Sequence, residues 1–160
     1  MFLVALRQII LWTLVCGLLY PVSLTVLADS LPAPRASQLV GQDFVGPDYF
    51  WPRPSAVNYN AASSSGSNFG PHEPKREAET TRFGAEAPAV LRYSSGSGLD
   101  PDITPEAALY QVPRVAAARG LAPAVLEKLV RGQIKGRTLG VLGHERINVL
   151  ELNLALNRLK

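Results

Sequence analysis

The sequence predicts an α+β protein: one N-terminal transmembrane helix followed by one small soluble domain of mixed helices and strands. Three observations predict it. An apolar, uncharged run from Gln8 to Ala28 is closed by Arg7 on one side and Asp29 on the other, and no second run like it occurs in the 160 residues. From Thr104 to the C-terminus, helix starts and stops follow one another at short intervals. Between these regions lie short apolar segments of strand length, separated by Pro, Gly, Ser and Asn.

At about 1.5 Å per residue the first run reaches roughly 32 Å as a helix, enough for a hydrocarbon core of about 30 Å. Val26 and Ala28 would suit a signal cleavage site before Asp29. The run is nevertheless longer than the roughly 7–15 apolar residues of a secretory leader, and Trp12, Tyr20 and Pro21 are unlike a disposable one. It is read as a retained anchor. Pro21 removes a backbone donor inside the span; such a break is tolerated mainly where a neighbouring helix helps to satisfy the freed carbonyl, which hints at a partner helix, the alternative being a simple kink. The only cysteine, Cys16, lies in the span, so the soluble part has no disulfide. Val15 precedes it where a lipid-anchor signal has a small residue. The organisation expected is therefore residues 1–28 as tail and transmembrane helix, and residues 29–160 as one domain. The amino terminus and Arg7 flank one end of the span, Asp29 and Arg35 the other. The basic-residue rule slightly favours a cytoplasmic amino terminus and an extracytoplasmic domain. A lone helix encloses no pathway, so the chain is not a transporter by itself.

The net charge of +3 conceals an asymmetry. Asp29 to Tyr110 holds six basic and ten acidic residues; Gln111 to Lys160 holds nine basic and three acidic. A basic third can face anionic lipid, an acidic protein or nucleic acid. Here the basic residues are spread singly, without aromatic interleaving, so the pattern reads as a solvated face and not as a nucleic-acid site.

Along the chain, Leu31 to Ser37 is a Pro/Ala linker, and Gln38 to Phe44 is a strand candidate. Val45 to Ala61, rich in Pro, aromatics and Asn, is an ordered loop. Ala62 to Pro74 is Ser/Gly/Pro-rich, Lys75 to Gly84 a short polar helix, and Ala89 to Tyr93 a strand candidate followed by a turn through Gly96 and Gly98. Thr104, Pro105 and Glu106 form a helix start: a capping hydroxyl, a proline where its missing donor costs nothing, and an acid in the first turn. That helix runs to Arg119, stops at Gly120, and carries Pro113, which predicts a kink or split near Gln111. Pro123 opens a second helix with Val125, Leu126, Leu129 and Val130 on one face; Gly132 and Gly136 bracket the turn that ends it. Arg137 to Leu142 is a strand candidate. Asn148 with Glu151 forms a capping box for a last helix. There the period conflicts, since Leu150, Leu152, Leu154 and Leu156 alternate like a strand; the box decides for helix.

No catalytic constellation emerges. His72 and His144 lack partners at metal-ligand spacing. Asp100 and Asp102 flank Pro101 and read first as turn chemistry leading into a helix cap. Ser94 to Gly98 (SSGSG) offers amides that could cradle an anion, but Leu99 stands where a phosphate loop needs Lys, and no third glycine follows for a dinucleotide loop. The Asp-Lys-Thr-Gly run of an ion-pumping ATPase is absent.

Five segments in order carry a resemblance: LVGQDF (Leu39 to Phe44), YFWPRPSAVNYNA (Tyr49 to Ala61), SGSNFGP (Ser65 to Pro71), SSGSGLDPDITPEAALYQVPRVAAARGL (Ser94 to Leu121) and GRTLGVLGHERINVLELNLAL (Gly136 to Leu156). With Gly17, Tyr20 and Pro21 in the span, they resemble the C subunit of the bacterial high-affinity, ATP-driven potassium transporter, a P-type ATPase of the Kdp type. The similarity covers nearly the whole chain. Pro52 stands where a glycine is expected, and Asp102 where histidine is common; Ser63 to Ser65 make the following loop serine-rich. The resemblance implies a non-catalytic subunit in the plasma (inner) membrane, partnered by a potassium-binding A subunit, an ATP-hydrolysing B subunit and a small F subunit. It also implies an assembly factor and catalytic chaperone that raises the B subunit's affinity for ATP. An extracytoplasmic domain meets little ATP, so that effect would pass through the other subunits as a coupling free energy.

Two other readings stay open. One is a nucleotide-binding regulator with Ser95, Gly96, Ser97, Gly98 and Gln111 near the phosphates. The other is an anchored extracytoplasmic binding module with no transporter. For partner contacts, Tyr20 and Pro21 in the span and the loop residues Tyr49, Phe50, Trp51 and Arg53 are the candidates, since aromatic and Arg side chains anchor interfaces; the four loop residues equally suit the domain's own core. No metal is expected in this chain.

Overall fold

The computed structural model describes residues 1–30, 38–70, 73–74 and 82–159. The chain divides into two compact units, Met1–Arg35 and Ala36–Lys160.

In the first unit one continuous helical stretch runs from Phe2 to Ser30, with a mean hydropathy of 2.1 over its most apolar window. It is long and apolar enough to cross a membrane, and it begins at Phe2, ahead of the predicted start at Gln8. The expected break at Pro21 takes another form. Helix α1 (Phe2–Leu14) passes through a π-turn at Val15–Leu19 into helix α2 (Tyr20–Ser30). The Tyr20 N–H reaches back five residues to the Val15 carbonyl. Pro21 has no N–H, and its ring crowds the carbonyl four residues earlier; a wider turn just before it accommodates both. Beyond it, Ser23 Oγ donates to the Tyr20 carbonyl at 2.8 Å and Thr25 Oγ1 to the Pro21 carbonyl at 2.9 Å. These hydroxyls meet their hydrogen-bonding needs within the helix, as an apolar solvent requires.

The second unit is built on helix α4 (Pro105–Arg119). The start is as the sequence predicts: Thr104 Oγ1 accepts from the Ala107 N–H at 3.2 Å. The end is too, with Gly120 left-handed at φ 65°. The predicted split at Pro113 does not occur. Pro113 sits on the exposed face, while Ala107, Ala108, Gln111, Val112, Val115 and Ala116 are buried along the other. Continuous packing outweighs one lost backbone bond. Helix α5 (Pro123–Gly132) packs on α4 and buries Leu126 and Val130, leaving Val125 exposed.

Helix α6 (Val149–Leu156) settles the conflict of periods. Val149, Leu152, Asn153 and Leu156 are buried, the spacing of one helix face, and Leu154 is exposed. Asn148 Oδ1 caps it by accepting from the Glu151 N–H at 3.1 Å. The Glu151 side chain pairs instead with Lys135.

Three strand expectations are corrected. Gln38 to Phe44 forms no strand; its Gly41 N–H donates to the Leu99 carbonyl at 2.7 Å, and a Cβ on Gly41 would lie 2.8 Å from the Asp100 carbonyl oxygen. Ala89 to Tyr93 is a short helix, α3 (Ala89–Arg92), started by Pro88; a brief apolar run does not distinguish helix from strand. Arg137 to Leu142 is a tight turn closed by a bridge between Thr138 and Leu142. The one described sheet is instead made of strands β1 (Asp102–Ile103) and β2 (Ile147–Asn148), antiparallel, with Asp102 opposite Asn148 and Ile103 opposite Ile147. Val45 to Ala61 is a loop, as expected. The linker 31–37 and most of the expected polar helix, residues 75–81, lie outside the described residues.

Thr104→Ala is expected to lower stability by about 1 kcal/mol, the usual loss for an N-cap. Urea denaturation of the detergent-solubilised chain, followed by Trp fluorescence, measures it.

Candidate functional site

The residues singled out as partner contacts lie in two places. Tyr20 and Pro21 belong to the membrane unit, both exposed there. Tyr49, Phe50, Trp51 and Arg53 lie on one loop of the domain, and that loop is held by two buried carboxamides. Asn153 on α6 accepts from the Phe50 N–H with Oδ1 and donates to the Phe50 carbonyl with Nδ2, both at 2.9 Å. Gln111 on α4 does the same one residue later: Oε1 accepts from the Trp51 N–H at 2.8 Å and Nε2 donates to the Trp51 carbonyl at 3.0 Å. A carboxamide has the donor and acceptor of a peptide group. Each therefore stands in for a neighbouring strand that the loop lacks.

Side chains follow from this hold. Phe50 drops into the core and is fully buried. Trp51 is flanked by two guanidinium groups, Arg114 at 3.7 Å and Arg82 at 4.1 Å from the ring centre, and its indole N–H donates to the Gly46 carbonyl. Arg114 also donates to the Pro47 and Tyr49 carbonyls and to Gln111 Oε1. Burial and the nearby Arg82 charge pull its pKa down to about 10, so it remains a cation at neutral pH. Arg119 braces the other end of the loop through the Asp48 carbonyl at 2.7 Å. Arg53 pairs with Asp100 at 3.1 Å.

The candidate phosphate turn lies against the same loop. Ser95 is buried, and its N–H donates to the Pro54 carbonyl. Ser55 Oγ donates to the Gly98 carbonyl at 2.6 Å, the Ser65 N–H to the Ser97 carbonyl, and the Leu99 N–H to Ser97 Oγ. Gly98 has φ 68°, and a Cβ there would lie 2.6 Å from a Val57 methyl. Gly96 and Ser97 are the exposed members of the turn. Gly98 thus serves loop-on-loop packing, whereas a Cβ on Gly96 would meet nothing within 4 Å. Gln111, the fifth residue of that set, has its amide engaged on both atoms, Nε2 also reaching the Ala107 carbonyl at 3.4 Å.

Asp100 and Asp102 occupy a polar groove shared with Arg53, Thr104, His144 and Arg146. Asp102 pairs with Arg146 at 3.2 Å and accepts from Asn148 Nδ2. Burial pushes its pKa up, Asn148 opposes that, and Asp100 adds to it. Each acid has its own arginine, an arrangement that fixes the β1 turn. Among the described residues no cluster of three or more His, Cys, Asp or Glu could hold a metal ion; His72 lies outside them.

Sequence reading missed Asn153, Arg114 and Arg119, which shape the loop more than the residues it singled out. A signal existed for one of them: Asn153 is a lone amide on the apolar face of a helix, where burial demands a partner.

Tyr59 closes the far side of the loop. Its hydroxyl donates to the Arg53 carbonyl at 2.6 Å, and burial pushes its pKa up to about 12.

The chain matches the family model for the K+-transporting ATPase, c chain (KdpC), over residues 2–158. It is 45% identical to the potassium-transporting ATPase KdpC subunit of Herpetosiphon aurantiacus, with 98% of this chain and 95% of that one aligned. It is 43% identical to the subunit of the same name from Geobacter sulfurreducens, covering 97% and 96%. With that from Rhodopseudomonas palustris the figures are 42% identity, 96% and 94%.

Two outcomes follow from the loop geometry. Asn153→Ala strands the Phe50 N–H and carbonyl in the core, at about 1–3 kcal/mol for each group; a lower urea midpoint with Trp51 fluorescence shifted to the red is expected. Tyr59 binds its proton more tightly folded than unfolded, so its contribution is complete below pH 10 and lost as pH rises to about 12. Phenolate absorbance should show one late-titrating tyrosine, absent in Tyr59→Phe.

Proposed function

The chain belongs to the family of K+-transporting ATPase c chains, and from that premise we propose that it is the non-catalytic subunit that assembles and stabilises the pump. Its helix anchors it in the plasma membrane with the amino terminus cytoplasmic, and residues 29–160 form an extracytoplasmic domain. Its partners are the potassium-binding A subunit, the ATP-hydrolysing B subunit and the small F subunit. The domain docks over the outer mouth of the A subunit. It raises the B subunit's affinity for ATP from a distance, as a coupling free energy between sites.

The observation that carries this reading is the hydrogen-bonding state of the candidate nucleotide residues. In the SSGSG turn the Ser95 N–H is bonded to the Pro54 carbonyl and the Gly98 N–H to the Ser95 carbonyl, and the Gln111 amide is engaged by Trp51, Ala107 and Arg114. A direct phosphate site would call on those donors. An action through partners needs only a packed domain and an anchor; the buried core and a helix long and apolar enough to cross a membrane support that reading.

Deleting residues 29–160 should leave the other subunits expressed but unassembled, with no growth at low potassium; normal uptake without the domain would overturn the proposal. Photo-crosslinking an ATP analogue to the intact complex is expected to label the ATP-hydrolysing subunit and leave this chain unlabelled.

A further inference from the structure

The segment from Lys135 to Arg146 forms a finger with no role in the core. Its base is closed by a reciprocal pair of backbone bonds between Lys135 and Arg146, at 2.8 and 3.0 Å, and its tip by a second pair between Thr138 and Leu142, both at 2.9 Å. Every residue along it is exposed. At the tip Leu139, Val141 and Leu142 are 87%, 73% and 58% exposed. A Cβ built on Gly140 would meet nothing within 4 Å, so the tip projects into open space.

This tip is unfavourable twice over in water. Three large apolar side chains are left solvated within four residues. Leu139 also holds φ 55°, a left-handed conformation that a bulky aliphatic residue rarely adopts. The turn's own backbone bonds, from the Gly140 N–H to the Arg137 carbonyl and from the Val141 N–H to the Thr138 carbonyl, hold Leu139 there, while the three apolar side chains stay exposed. Strain of this kind persists where another surface makes use of it.

The surroundings state what that surface is. From Lys128 to Arg146 the chain carries five basic residues against one acid, Glu145; Lys135 is paired with Glu151 and Arg146 with Asp102, which leaves Lys128, Arg131 and Arg137 without an ion pair among the described residues. An apolar tip within a basic collar matches an anionic bilayer surface, where leucine side chains enter the acyl boundary and cations face lipid phosphates.

We propose that the 135–146 finger is a membrane-surface contact: Leu139, Val141 and Leu142 dip into the interface of an anionic lipid bilayer while Arg137 and its basic neighbours engage headgroup phosphates. The contact does not depend on the pump subunits. It restrains the domain's orientation as a second point of attachment beside the helix.

The test uses the full chain in lipid nanodiscs, with Cys16→Ala and an environment-sensitive fluorophore on Thr138→Cys. A control label sits on Ala118→Cys, on the exposed face of α4. In discs containing phosphatidylglycerol, the finger label should report an apolar environment and be quenched by spin-labelled lipid, and the control should not. Arg137→Glu and high salt should weaken the contact, the docked fraction's equilibrium falling about fivefold for each cation neutralised. Leu139→Gly suits the left-handed backbone better than leucine does; it should keep the fold and lose the quenching. A water-exposed spectrum in anionic discs overturns the proposal, and so does shielding that appears only when the other subunits are added, which would mark a protein contact. Equal quenching in zwitterionic discs overturns the anionic-lipid assignment.

Discussion

Two buried carboxamides, Asn153 and Gln111, hold the irregular part of this domain to its regular part. A loop without a strand partner must still satisfy its backbone when it enters a core. Here the peptide groups of two consecutive residues, Phe50 and Trp51, are answered by side chains from two different helices. The loop is thereby fixed in both position and direction. Phe50 can then fill the core, Trp51 can stand between Arg82 and Arg114, and Arg53 can reach Asp100. Each hydrogen bond contributes only about 1 kcal/mol net, but leaving any one unmade costs more. The arrangement is therefore nearly all-or-none, and the loop's order is tied to the α4–α6 core.

That tie explains why several residues with chemical promise also have structural work. The glycine turn packs on the loop that the amides hold, and Gly98 allows the close approach. The paired aspartates are divided between Arg53 and Arg146. Polar groups engaged in this way give a stiff body with defined faces. The first unit likewise satisfies its own groups. Its π-turn absorbs the conflict at Pro21 without breaking the helix, and its hydroxyls bond to its own carbonyls.

Much of this was legible in the residues, and the pattern of success is physical. Thr104, Pro105 and Gly120 mark their helix because capping is local: the donor, the acceptor and the backbone angle all lie within a turn. Asn148 and Glu151 likewise overruled the alternating leucines. Strand candidates failed because a strand exists only when a partner arrives. Gln38 to Phe44 found no ladder, and Ala89 to Tyr93 closed into one helical turn behind Pro88. The strands that did form, at Asp102 and Ile147, are two residues each and join positions far apart in the chain.

The sequence by itself determined the long apolar N-terminal helix, the Thr104-capped helix and the one opened by Pro123, the capped C-terminal helix and the family, since each is written in contiguous residues or in their order. Only the tertiary structure decided which polar groups are spent and which remain available. Whether Gln111 faces a ligand or a peptide, and whether Phe50 faces a partner or the core, depends on segments 60 and 103 residues away. Hydrogen bonding and burial are properties of neighbours in space, and folding alone supplies those neighbours.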